Sequence, residues 1–189
     1  VDEAATRVLD AAECLFYERG IHAVGMDELR SASGVSLKRL YQCFPAKEQV
    51  VVAYLRRRHS RWLGEMRAFV EGHEPGSRVA AVFDWLDGWF REPGFRGCAF
   101  VNSAGEMGAG SPVVLAVARE HKVAVRGFFG ELTGDETLAT QLSLLAEGAI
   151  TLAAVGGDPS AACQAKDAAA VLVDQMLSSS RFRSKSGHR

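Results

Sequence analysis

Along most of this chain apolar residues recur at three- and four-residue intervals, the period of an amphipathic helix, and no stretch alternates as a strand requires. From Glu3 to Arg19, Val8, Ala11, Ala12, Leu15 and Phe16 share one stripe, with Arg7, Asp10, Glu13 and Glu18 elsewhere; Gly20 then stands where helices commonly stop. Two short helices are predicted over 27–44, hinged at Gly34. The first carries Leu29 and Ala32 at helical spacing. The second opens at Ser36, a good N-cap, and turns Leu40 and Phe44 inward. Pro45 breaks it, and a long helix runs from Lys47 to about Val70 with Val51, Tyr54, Leu55, Trp62, Met66 and Phe69 facing inward.

Further helices are predicted over 77–90, over about 98–107, and from Ser111-Pro112 to about Leu132, an N-cap followed by Pro at N1. The first has a stripe of Val79, Val82, Phe83, Leu86 and Trp89. The last turns Val114, Val117, His121, Ala124 and Phe128 inward. Residues 136–155 are apolar nearly all round, so that helix needs cover on two sides. An Ala-rich helix over 160–177 follows the turn Gly156-Gly157-Asp158-Pro159. Two such helices point to a subunit interface, with Leu142, Leu145, Ala149, Leu152, Ala165, Ala169, Leu172 and Met176 as its candidates and a homodimer as the expected assembly. The fold class is therefore all-α with about nine helices, and 179–189 is expected to be a basic flexible tail.

The hinged pair over 27–44 has the outline of a helix-turn-helix, whose second helix enters the DNA major groove. Its outer face offers Lys38, Arg39, Tyr41 and Gln42, side chains suited to phosphates and base edges. The net charge of −1 does not favour nucleic acid, but the charge is unevenly spread. Between residues 38 and 67 stand eight basic residues (Lys38, Arg39, Lys47, Arg56, Arg57, Arg58, Arg61, Arg67) and two acids (Glu48, Glu65), the electrostatic footprint expected of a DNA-binding face.

Other classes fit less well. Cys14, Cys43, Cys98 and Cys163 are dispersed, with no CxxC and no His at ligand spacing, so no metal and no cofactor is expected. The run Gly105 to Gly110 has no preceding strand and no following Lys-Ser/Thr, and no Ser-His-Asp set presents itself, so the chain is not expected to be an enzyme. Apolar residues make up 48% and charged residues 24%, the balance of a globular protein; no apolar run is expected to span a membrane, and a cytoplasmic location is expected. Val1 stands where a Met would begin a chain, so residues upstream are expected.

The run GVSLKRLYQCFPAKEQVVVAYL resembles the TetR family of transcriptional regulators, through Gly34-Val35-Ser36, Leu40-Tyr41 and Phe44-Pro45-Ala46-Lys47-Glu48. The resembling block covers about 6–55. Gly97-Cys98 with Asn102 and Glu106 is similar to one broad subgroup. The resemblance implies a DNA-binding domain over 1–48 and a ligand-binding and dimerisation domain over 49–178. It implies a homodimer on palindromic double-stranded DNA, repressing transcription until an unidentified small-molecule inducer releases it. By motif position Tyr41 and Lys47 would contact phosphates, Leu37, Lys38, Arg39 and Gln42 would face the groove, and Gly25, Met26 and Ser36 complete the DNA-binding set. Gly25 replaces the family's usual Ser or Thr, and Cys43 its usual His or Tyr, each removing one expected backbone contact.

For the inducer, Trp62, Met66, Trp85, Trp89, Phe100 and Phe128 are the apolar candidates and Asn102, Glu106 and His121 the polar ones. Glu106, a carboxylate in an apolar helix, is expected to pair with His121 or with a donor on the ligand. An alternative function is a redox-responsive regulator using Cys43, whose basic neighbours would favour thiolate.

Overall fold

The computed structural model describes residues 2–186, with side chains described over 2–179. Among the described residues there are nine α-helices, one 3₁₀ turn and no strand. The helices are α1 (Glu3–Arg19), α2 (Met26–Ser33), α3 (Leu37–Cys43), α4 (Lys47–Glu71), α5 (Arg78–Phe90), α6 (Ala99–Met107), α7 (Pro112–Thr133), α8 (Glu136–Gly156) and α9 (Ala161–Ser186).

The helix ends follow local chemistry. Asp2 caps α1 by accepting the Ala4 amide at 3.0 Å. Gly25 opens α2 with no side-chain cap, whereas Ser36 opens α3 by accepting the Arg39 amide at 3.2 Å. Ser111 Oγ accepts the Val114 amide at 3.3 Å, and Asp135 caps α8 through Leu138 at 2.8 Å. The tail expected from residue 179 is instead helical through Ser186, because no Gly or Pro interrupts the sequence between Pro159 and Gly187. Residues 187–189 lie outside the described residues.

The chain divides into two compact units, Val1–Trp62 with Cys98–Lys122, and Leu63–Gly97 with Val123–Arg189. The first therefore holds α1–α3, α6 and parts of α4 and α7. Its core contains Val8, Phe16, Leu29, Leu40, Tyr54 and Leu55. Phe16 meets Tyr54 edge-on at 5.7 Å. At its other end Phe100 stacks on His121 at 3.7 Å, Trp62 meets His121 at 5.3 Å, and His59 Nδ1 lies 3.1 Å from His121 Nδ1.

In the second unit α8 packs on α9, and α5 on both. Phe69 is exposed and lies against His73, contrary to its expected inward position. Val70, one helical turn from Met66, takes the buried place. The helix α8 is long and apolar enough to cross a membrane, which the sequence pattern did not anticipate. Its Leu138, Ala139, Leu142, Ala146, Ala149 and Ile150 are buried, on one face of the helix.

Four of the residues expected at a dimer interface, Leu142, Ala149, Ala165 and Ala169, are buried within the chain itself. The helices α8 and α9 pack on each other, and the small side chains of Ala149, Ala165 and Ala169 suit a close approach. Leu152, another of the expected residues, stands on the uncovered face of α8 with Leu144, Gly148, Thr151 and Val155, which recur at helical spacing and are all exposed.

Candidate nucleic-acid interface

The reading head is shaped by one turn. Gly34 closes α2 in the left-handed conformation (φ 65°, ψ 19°), and its amide donates to the Arg30 carbonyl. A β-carbon there would be strained, so the tight joint between α2 and α3 depends on glycine. Val35 and Leu40 are buried beyond it, and Phe44 closes the far end.

Burying a side chain such as Leu40 contributes about 1.5–3 kcal/mol. An exposed ion pair contributes about 0–1 kcal/mol. The helix α3 is thus seated by Leu40 and its apolar flanks, which leaves its polar residues free of any packing role. Leu37, Lys38, Arg39, Tyr41 and Gln42 are all exposed, as are Gly25 and Ser36, while Met26 and Lys47 are half-buried. Lys38 and Gln42 are four residues apart on the most outward line of α3, with Leu37 and Tyr41 on one flank and Arg39 on the other.

Arg39 is already held. Its Nη2 donates to Asp2 Oδ2 at 2.6 Å, and Asp2 is itself fixed as the cap of α1. The pairing reaches Cys43, whose thiol lies 3.5 Å from the same oxygen. Burial, then the Asp2 carboxylate, push the Cys43 thiol above its ordinary value, outweighing Arg39. That opposes the thiolate expected of a redox-active Cys43.

The basic run on α4 is largely spoken for. Glu13, on α1, accepts from Arg57 at 3.2 Å, Arg58 at 2.9 Å and Arg61 at 3.1 Å, and Asp10 takes a second Arg57 nitrogen at 2.8 Å. Arg58 also lies over the Tyr17 ring at 4.0 Å. Arg67 forks onto Glu131 in the second unit. These four arginines neutralise acids distant in sequence, which a count over 38–67 could not register. The footprint is narrower than expected: Lys38, Lys47 and Arg56, with Arg39 shared with Asp2.

Glu106 does not pair with His121. Its Oε1 accepts the Ile21 amide at 3.0 Å and its Oε2 the His22 amide at 2.8 Å. The turn after α1 frees those two amides, and Gly20 (φ 85°) makes room, since a β-carbon there would lie 3.1 Å from Glu106 Oε2. Beside it Ser111 Oγ donates to Glu48 Oε1 at 2.5 Å. Burial pushes the Lys47 ammonium below its ordinary value against the opposing pull of Glu106.

The other inducer candidates separate. Trp62, Phe100 and His121 meet in the first unit, and Asn102 belongs to it. Met66, Trp85, Trp89 and Phe128 belong to the second, where Trp85 stacks on Trp89 at 6.0 Å and Phe128 lies under Arg67 at 4.4 Å. Burial, then the positive neighbour Lys122, push His121 down to about 3, so it is a neutral core imidazole. An open groove of about 680 Å³ lies instead along the start of α4, lined by Phe44, Glu48, Gln49, Val52, Arg56 and Val113 among others. None of the nine inducer candidates lines it. Its walls come from two segments sixty residues apart, so no sequence periodicity could have announced it.

Comparisons with known proteins agree with this geometry. Residues 8–54 match the family described as bacterial regulatory proteins, tetR family. The chain is 33% identical over 121 residues to the HTH-type transcriptional regulator Rv1255c of Mycobacterium tuberculosis, covering 61% of this chain and 59% of that one. It is 45% identical over 91 residues to the HTH-type transcriptional activator FasR of Mycolicibacterium smegmatis, covering 46% of this chain and 42% of that one. The chain thus spans 59% or less of these relatives' own lengths. Among solved structures, SCO4454, a TetR-family transcriptional regulator from Streptomyces coelicolor, is 26% identical with a TM-score of 0.83, over 92% of this chain and 90% of that one.

Proposed function

We propose, the chain being a member of the TetR family of bacterial regulatory proteins, that it binds a specific DNA operator and regulates transcription from it. The observation that carries this reading is α3. Of its seven residues it buries Leu40 alone, and it presents Leu37, Lys38, Arg39, Tyr41 and Gln42 to the outside. A helix so exposed contributes little to a core; its residues suit a groove of donors, acceptors and phosphates.

In this reading residues 1–48 are the reading head and 49–178 carry sensing and dimerisation. Lys38, Arg39 and Gln42 read base edges, while Tyr41 and Lys47 grip phosphates. The uncovered α8 face carrying Leu144, Leu152 and Val155 meets its counterpart in a second copy. A two-fold dimer then presents two α3 helices to a palindrome, in the cytoplasm where the DNA lies. A small molecule sensed by Trp62, Phe100 and His121, or by Met66, Trp85, Trp89 and Phe128, releases the operator by favouring a conformer that binds it less well.

The test is selection of bound fragments from a random DNA pool by the purified chain, followed by a screen of metabolites for release. Recovery of one palindromic sequence supports the reading; recovery of no preferred sequence overturns it. Transcription from the recovered sequence, with and without the protein, gives the sign of regulation. Repression is expected, although the relative FasR is named an activator.

A further inference from the structure

The four cysteines differ in what stands against the sulfur. Cys43 faces the Asp2 carboxylate at 3.5 Å, and Cys163 lies 3.9 Å from the Asp87 carboxylate. Cys14 is exposed on α1. Cys98 is different: it is buried at the residue before α6, and the Lys122 ammonium of α7 donates to its sulfur at 3.1 Å. A thiol and an amine-bearing side chain from separate segments therefore lie in direct hydrogen-bond contact. Lys122 is half-buried, so the pair sits at the margin of the first unit's core rather than sealed within it.

We propose that Cys98 and Lys122 form a peroxide-responsive pair, in which oxidation of the thiol joins Sγ to Nζ and staples the start of α6 to α7. The Cys98 sulfur, giving up its proton, attacks one oxygen of hydrogen peroxide. The O–O bond breaks, one oxygen leaves as water, and sulfenic acid forms with sulfur oxidised by two electrons. Sulfenic acid condenses with a thiol or a nitrogen nucleophile, and the Lys122 nitrogen lies 3.1 Å from this sulfur. Its ammonium gives one proton to the departing hydroxide. The nitrogen lone pair attacks sulfur, the S–O bond breaks as the S–N bond forms, and a second water leaves. The new bond sheds one further proton to solvent. The peroxide is the only oxidant consumed, and a thiol reductant reverses the link by attacking sulfur.

The pairing matters because of where the two residues lie. Cys98 begins the helix that carries Glu106, and Lys122 follows His121, the ring on which Phe100 stacks. A covalent bond in place of a 3.1 Å contact draws the start of α6 toward α7. The proposal does not rest on DNA binding, since the modification is read out on the protein itself.

The experiment treats the reduced chain, freed of reductant, with hydrogen peroxide and measures its mass intact and after proteolysis. The expected product is lighter by two hydrogens, yields a cross-linked peptide containing Cys98 and Lys122, and reverts with dithiothreitol. The C14S/C43S/C163S triple variant should keep this product, which separates it from a disulfide. K122R keeps the cation but removes the amine and should lose it. Recovery of Cys98 from the unaltered protein solely as thiol, sulfinic acid or disulfide overturns the proposal without recourse to any variant. So does a link that survives in K122R.

Discussion

Glu106 and His22 hold each other twice: the carboxylate accepts the His22 amide at 2.8 Å, and the Glu106 carbonyl lies 2.7 Å from His22 Nε2. With the Ile21 amide on the other carboxylate oxygen, the end of α6 grips the turn between α1 and α2. Replacing Glu106 with Ala leaves the part-buried Ile21 amide without its acceptor and should cost about 1–3 kcal/mol. Glu106→Gln, which retains one acceptor oxygen, should cost less. Urea unfolding of the two variants measures this, and equal stability of all three proteins would show the grip to be idle.

Arg39→Ala should lower the preference for one base of the operator by about 1–3 kcal/mol, the worth of a good bidentate contact. Asp2→Ala should free the guanidinium from α1 and broaden that preference. Burial raises the Asp2 carboxyl, but the Ala4 and Ala5 amides, Arg39 and Cys43 together hold it below its ordinary value. A carboxylate lowered by folding stabilises above its unfolded value of 3.8 and loses that stabilisation as pH falls through its folded value. Base preference should therefore be insensitive to this group throughout the neutral range. Binding to single-base operator variants reads all of this.

Lys47→Gln should weaken operator and random DNA alike and flatten the dependence of log affinity on log salt by about 0.9. Titrations at several salt concentrations check it. A loss confined to the operator would make Lys47 a base reader instead.

His121 gives stability a pH dependence of definite sign. Its folded value of about 3 lies below the ordinary 6.5, so the unfolded chain binds the extra proton first. The stabilisation is whole above pH 6.5 and is lost between 6.5 and 3, at no more than about 1.4 kcal/mol per pH unit. Unfolding free energies of the natural protein and of His121→Gln, compared at pH 7 and pH 5, should converge at the lower value.

Leu152→Glu on the uncovered α8 face should turn a dimer into monomers at micromolar concentration and lower affinity for a palindrome far more than for one half-site. Sedimentation equilibrium decides it. Ala169→Glu, by contrast, should unfold the chain, because Ala169 is buried against its own neighbours.

The elements were legible because their signals are local. Gly20, Gly34 and Ser36 stand at helix ends, and Leu40 with Phe44 declares the inner face of α3. What escaped was decided by partners far along the chain. Nothing near Glu13 announces that it accepts three arginines from α4, and nothing near Glu106 announces the Ile21 and His22 amides. Charge and burial potential can be counted along a sequence, but a partner 45 or 84 residues away is selected by packing. Ala149, Ala165 and Ala169, expected at a dimer interface, are buried within their own chain for the same reason: small residues mark close helix approach without saying whether the second helix comes from the same chain.

The contact between His59 Nδ1 and His121 Nδ1 requires one hydrogen between two like atoms. One ring must offer it and the other must accept it, so a hydrogen on one Nδ1 excludes a hydrogen on the other. The neutral His121 that accepts carries its own hydrogen on Nε2, and the one that donates leaves Nε2 bare, so the contact ties the far side of the His121 ring to its role toward His59.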